Sequence, residues 1–495
     1  MKEVVIRKFV LILFMCFALS NCVNNDYETP ENIEVHDFIW KGFNAYYLDQ
    51  ENIPDLSDNR FNSDQQLESY LKGFGTPEDI FNSILSSTDL RSKLIEDHTL
   101  IETPIPKRSS FTNGVEFGVF MDPNISDNLI GYVSHILPYS YASTQDISRG
   151  EFFYAIINEE NDVIPLVEEN YMDMLVNYEQ DTLKLLMADY DGNTLVTNNK
   201  RIDLVKESYE YPPIFIKKVM DVSSKKVGYL MYNNDFSNNY IEDLNATMLE
   251  FKNQSIDDLV IDLRFNIGQN SFAKTITEIA SMITGQFTDE ILIKENWNLK
   301  AQPWFELNQP DSLISRFTSY LDNNQLINSL NMTDVYIILN GNGFNGSSAI
   351  ELLINSLQPY INVHVIGNST KGDNVGSITL YDSPDYDFFA RNSNHLYALQ
   401  PKVLTFTNLN NESYENGISP NIPLCSDEDP LNLGELGETS DPILNRVLNY
   451  ISSGNVGINP TCNPLNLKLL YNSINSQRGI DAGIFIKQDL PNLGR

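Results

Sequence analysis

The sequence is poor in the side chains that hold metals and nucleic acids. Only four cysteines and five histidines occur in 495 residues, and His36, His98, His135, His364 and His395 are scattered. There is no Cys-x-x-Cys and no His-x-x-x-His, so nothing points to a metal site, and no cofactor is expected. Basic residues are scarce as well: 33 Lys+Arg stand against 67 Asp+Glu, a net charge of −34. Such a chain repels a polyanion rather than steering it in, which argues against a nucleic-acid partner. Apolar runs long enough to cross a bilayer are also missing, the run Phe9 to Leu19 being too short.

What is present is an ordinary globular composition, 42% hydrophobic and 20% charged, in a length suited to about three domains. Lys2, Arg7 and Lys8 precede the apolar run, the pattern of a secretory signal. Leu19-Ser20-Asn21-Cys22 then resembles a bacterial lipobox, although Asn21 stands where a smaller residue is usual. The resemblance implies a signal over 1–22, lipid attachment at Cys22 and a place in the cell envelope, membrane-anchored and periplasmic or surface-facing. The competing reading is an ordinary cleaved signal. That compartment permits disulfides, and Cys425 and Cys462 are the pair available.

Residues 23–31, rich in Asn and acid with Pro30, read as a polar tether. In 32–105, Val35, Phe38, Ile39, Phe43, Tyr46 and Tyr47 share one helical face, and Thr76-Pro77 with Asp79 announces another helix. A small helical domain is expected there. From 106 to 210 the period shortens: Val115 to Phe120, Ile130 to Val133, Phe152 to Ile157 and Thr182 to Met187 are strand-like. Over 211–454 a βαβ pattern follows, with a strand at Lys226 to Tyr232, a helical face of Ile241, Leu244, Met248 and Phe251, and a nearly continuous apolar strand at Asp257 to Arg264. Residues 455–495 form an extension with an apolar patch, Leu465 to Tyr471.

The chemistry-bearing stretch runs from Val335 to Leu357. A β-branched run breaks at an Asn/Gly-rich turn, and a helical pattern begins at Ser347-Ser348. A serine at a helix start sits among free amides that favour developing negative charge. The same spacing, Ser348-x-x-Glu351, is also that of a capping box with no chemistry at all.

Three ordered segments resemble the carboxyl-terminal processing, or tail-specific, serine peptidases. Val260-Ile-Asp-Leu-Arg-Phe-Asn-Ile-Gly268 is similar to that family's Asp-Leu-Arg-x-Asn-x-Gly, and Ser348-Ala-Ile-Glu351 to its Ser-Ala-Ser-Glu. Gly367 to Ser377 is similar to the segment that brings in its catalytic lysine, and Gly417-Ile-Ser-Pro-Asn to a turn that follows. The resemblance implies a crotonase/ClpP-like α/β core, here after a helical domain. Pro138-Tyr-Ser-Tyr-Ala142 and Ile147-Ser-Arg-Gly-Glu151 are similar to PDZ motifs, with a generic β domain as the alternative.

Carried over by position, the resemblance implies Ser348 as nucleophile, with Glu351 in the same segment. The Ala349 amide and an amide of the 266–268 turn, Gly268, would form the oxyanion hole. Ser377 falls where the family often has Gln. The family's base is a neutral lysine. Asp373 stands in its place, and an aspartate, with a reference pKa of about 3.9, is a weak base for a serine hydroxyl. Two accounts follow. Lys371 substitutes for it, since residues two apart in an extended segment share a face. Otherwise the site has lost turnover and the fold persists as a lipid-anchored peptide- or protein-binding module. The expectation leans to a serine-type peptidase acting on extended polypeptide.

Overall fold

The computed structural model describes residues 31–101, 107–267, 271–339, 346–425, 428–456, 467–474, 483–486, 490 and 493. The signal, Cys22, residues 23–30 of the tether, Gly268 and Cys462 lie outside the described residues. Cys425 is disulfide-bonded.

Helix α1 (Glu34–Tyr46) carries the expected apolar face, and α2 (Asp64–Leu71) and α3 (Pro77–Ser83) follow. Thr76 caps α3 in a reciprocal capping box with Asp79, with Pro77 in the first turn. These helices do not have a core of their own. Phe38, Phe43 and Ile80 belong to one continuous cluster with Leu259, Ile337, Leu353 and Leu404. Gly42 of α1 shows how closely the layers meet, since a Cβ there would lie 2.9 Å from the Leu399 side chain. Strand β1 (Lys93–Ile95) then joins the core by pairing with residues 398–400.

The next segment is an antiparallel β domain: β2 (Val115–Met121), β3 (Leu129–Ile136), β4 (Phe152–Ile157), β5 (Thr182–Tyr190) and β6 (Leu195–Val205) pair in that order. Alternate inward residues, such as Leu183, Leu185 and Met187 of β5, build a separate core.

The centre is a mixed sheet in the order β7 (Ile216–Val222), β8 (Lys225–Met231), β9 (Asp258–Asp262), β13 (Asp334–Ile338), β14 (Asn362–Gly367), β19 (Ile422–Pro423). All pairs after β7–β8 are parallel. Helix α4 (Ile241–Gln254) makes the crossover from β8 to β9. Residues Asp258 to Asp262 are all buried, which explains their unbroken apolar run. After β10 (Ser271–Phe272) and α5 (Ala273–Ile283) come β11 (Ile291–Trp297), α6 (Ala301–Asn308) and β12 (Ile314–Arg316). Strand β13 (Asp334–Ile338) leads to α7 (Ser348–Leu357), then β14 (Asn362–Gly367) and β15 (Val375–Ser377). Strands β16 (Leu380–Tyr381), β17 (Ala398–Gln400), β18 (Lys402–Thr407) and β19 (Ile422–Pro423) close the segment.

Helix α8 (Pro442–Ser453) covers the opposite face of the parallel sheet, with Leu444, Val447 and Leu448 against Tyr229, Val260 and Ile366. Beyond it the chain serves two earlier sheets. Strand β20 (Leu469–Asn472) adds to β2, and β21 (Ile484–Phe485) lies between β10 and β15. That last sheet runs β10-β21-β15-β18-β11-β12.

Candidate active site

Strand β13 delivers the chain to the turn before α7, and Gly346 takes a positive φ of 80° that favours glycine. Ser347, not Ser348, is the helix cap: its side chain accepts from the Ile350 amide. The Ser348-x-x-Glu351 capping box is therefore not formed, and both side chains are released for other contacts. Ser348 starts α7 and is 1% exposed. Its hydroxyl donates to Asp373 Oδ2. Ala349 follows in the first turn, where amides have no intrahelical acceptor. Gly268, its expected partner in an oxyanion hole, lies outside the described residues.

Glu351 is wholly buried, and among the described residues no hydrogen bond joins it to Ser348. Its carboxylate accepts from the amides of Gly372, at 2.6 Å, and Asp373, at 2.9 Å. Burial pushes its pKa up, opposed by the hydrogen bonds from Thr370, Gly372 and Asp373, while the Asp373 charge pushes it further up. Glu351 is thus the clamp that holds the loop carrying Asp373 against α7.

That loop has a conformation that sequence spacing does not reveal. Gly372 has φ +87°, and a Cβ there would lie 2.2 Å from the Glu415 carbonyl oxygen. On the facing segment Gly417, φ +79°, stands as close to the Thr370 carbonyl. Thr370 and Ile418 exchange bonds, the Thr370 amide to the Ile418 carbonyl and the Ile418 amide to the Thr370 hydroxyl. The segment is therefore not extended through Gly372, and Lys371 and Asp373 do not share a face. The structure leaves Lys371 exposed, and among the described residues no hydrogen bond or ion pair joins it to Ser348. Of Lys371 and Asp373, it is Asp373 that reaches the serine.

Asp373 has a second partner that the sequence did not single out. Arg91, just before β1, forms an ion pair with the same carboxylate oxygen. Asp89 positions it, accepting from the amides of Arg91 and Ser92, the Ser92 hydroxyl and the Tyr47 hydroxyl. Burial alone would raise the Asp89 pKa, but these bonds and Lys402 bring it below the usual value. Tyr414 is also buried beside Glu351 and Asp373, and its hydroxyl has no hydrogen-bond partner among the described residues. Burial and the two carboxylates push its pKa far up.

The Asp-Leu-Arg segment anchors the turn on the other side. Arg264, fully buried, is paired with Asp262 at 2.7 Å, Asp441 at 2.7 Å and Glu428 at 3.2 Å. Glu428 also meets Arg149 of the β domain at 2.7 Å. Burial would raise the Glu428 pKa, but the two guanidiniums hold it down; Asp441 is pushed up by burial despite Arg264. Ser377 is buried in β15 rather than facing open solvent, and its carbonyl accepts from the Ile486 amide.

A family model described as the peptidase S41 N-terminal domain matches residues 34–97, and one described as peptidase family S41 matches 226–424. The chain belongs to peptidase family S41. Its fold is the S41 peptidase fold, an N-terminal helical region on a mixed α/β core. A solved relative, a putative S41 protease from Bacteroides fragilis NCTC 9343, is 20% identical with a TM-score of 0.62. The match covers 84% of this chain and 97% of that one. The photosystem II D1 C-terminal processing protease is 15% identical, TM-score 0.45, over 86% of this chain and 98% of that one. No curated protein matches the sequence. Within the S41 matches, Arg91 falls in the N-terminal segment and Ser348 and Asp373 in the peptidase segment, so the site is completed across both.

Proposed function

We propose that this protein is an envelope-anchored S41 homologue that takes extended polypeptide into its cleft, held to a membrane through a lipid on Cys22, without the family's Ser–Lys turnover. The observation that carries it is the Ser348–Asp373–Arg91 chain. Acylation requires a base that gains the serine proton. A carboxylate already neutralised by a guanidinium would become, on protonation, a neutral acid beside an uncompensated cation, which opposes the transfer. Polypeptide capture needs no such step. A cavity of about 810 Å³ between the β domain and the segment 430–436, lined by Ile136, Arg149, Gly150, Phe215 and Leu433 among others, supports peptide capture.

A second reading, a serine-type endopeptidase with Asp373 as base, is favoured by the Ser348 hydroxyl donating to a carboxylate at a helix start, a nucleophile–base pair in form. Treating the soluble protein with a fluorophosphonate probe separates the two. The binding reading expects no labelling above Ser348→Ala, together with saturable binding of extended peptides. Labelling of the wild type that is lost in both Ser348→Ala and Asp373→Asn would establish the endopeptidase instead.

A further inference from the structure

We infer that residues Gly483–Ile486 are a self-ligand, filling a strand-addition slot beside the Ser348 site that otherwise takes an extended apolar polypeptide. This rests on the reading of the protein as a polypeptide binder, and adds a place of docking near Ser348 that is separate from the cavity lined by Ile136 and Leu433.

The slot lies between β10 and β15. These two strands do not pair with each other; β21 stands between them and pairs in parallel with both. Ile484 is opposite Ser271 on one side and Gly376 on the other, and Phe485 is opposite Phe272 and Ser377. The Ile486 amide donates to the Ser377 carbonyl at 3.1 Å, extending the ladder by one residue.

Both walls adjoin segments that hold the Ser348 site. Strand β15 begins two residues after Asp373, the acceptor of the Ser348 hydroxyl. Strand β10 follows the turn anchored by Arg264. Ser348 itself is 1% exposed.

The occupant has the character of a ligand. It is a two-residue strand, contributed from far along the chain, and it uses backbone pairing with alternate apolar side chains. Ile484 is fully buried and Ile486 is 9% exposed, while Phe485 meets the ring of Phe272 at 6.4 Å between centroids. Backbone ladders are indifferent to sequence, so an incoming strand with an apolar residue at the Ile484 position makes the same bonds. A longer strand adds bonds that this short one does not make. Two open strand edges flanking an emptied slot are in turn a template for such a strand.

The test uses a variant ending at residue 482 and a fluorescent synthetic peptide of residues 483–495, followed by anisotropy. The truncated protein is expected to bind the peptide at least tenfold more tightly than the full chain, and an Ile484→Asp version of the peptide is expected not to bind. Equal binding by both proteins, or none by a folded truncated protein, overturns the inference. Unrelated extended apolar peptides report separately on the underlying function. If they bind the full chain and the variant alike, polypeptide binding stands and the self-ligand falls. If only the 483–495 peptide binds the variant, the reverse holds.

Should the truncated protein not fold, hydrogen exchange on the full chain decides. The Phe485 and Ile486 amides are expected to exchange at least 100-fold faster than those of Val260 and Ile337. Exchange at the same rate as these central strands would make β21 an integral part of the core and overturn the proposal.

Discussion

Glu278 ties the stability of the fold to pH. It sits on α5, 1% exposed, and its Oε1 accepts from the Asp322 amide at 2.9 Å. Burial, with a further push from the Asp322 charge, raises its pKa from 4.5 to about 7; the amide bond and Lys274 oppose this. The folded state thus keeps a proton between these two values that the unfolded chain releases. Stability from this group is complete below pH 4.5 and is lost as pH climbs through about 7. At about 1.4 kcal/mol per unit, the loss is at most about 3 kcal/mol. Glu278→Gln keeps the acceptor oxygen and removes the titration. In urea titrations of both proteins, the substitution is expected to stabilise at pH 8 by up to about 3 kcal/mol, and by about 2 kcal/mol less at pH 5.5. An advantage that stays constant between the two pH values would refute the argument.

Four further outcomes follow from the site and its supports. Glu428→Ala leaves Arg149 and Arg264 short of a buried counter-charge, and should cost about 3–5 kcal/mol in a denaturation series. Gly372→Ala forces a Cβ against the Glu415 carbonyl at a positive φ, and should lower stability by about 1–3 kcal/mol, seen as a reduced melting temperature. Asp373→Lys puts an amine beside Arg91, whose charge favours its neutral form; fluorophosphonate labelling of Ser348 should then rise above wild type. Thr76→Ala removes the α3 cap, and should cost about 1 kcal/mol by urea titration.

Much of the fold can be read from periodicity. Strands β2 to β5, the β8–α4–β9 unit and the β13–α7 corner lie where alternating, helical and continuous apolar patterns place them, because each element's burial is decided by its own layer. Two neighbouring serines left the start of α7 ambiguous by one residue, and that residue decides whether Ser348 caps or reacts. Spacing puts Lys371 and Asp373 on one face only if the backbone is extended, and Gly372, at positive φ, breaks that alternation. The partner of Arg91 has no local signal, since the contact is made with a segment far downstream. A pointer existed in the Asp89-x-x-Ser92 spacing, whose Asx-type turn aims the side chain. Helix α8 carries Asp441, Pro442 and Gly454 as start and stop signals that an apolar-run survey passes over. Strands β20 and β21 are too short to announce themselves and acquire their form from the sheets they join.

The sharing of one hydrophobic interior by α1–α3 and the central sheet bears on the order in which the molecule is made. Phe38 and Tyr46 rest on Tyr386, and the Ala45 and Tyr47 carbonyls accept from the Asn298 side chain, so the first helices to be synthesised await partners translated hundreds of residues later. Through most of synthesis those aromatic faces have nothing native to cover them. The earliest part of the polypeptide is among the last to be finished, and a nascent chain cut short before residue 400 would present its adhesive surface to whatever is nearby.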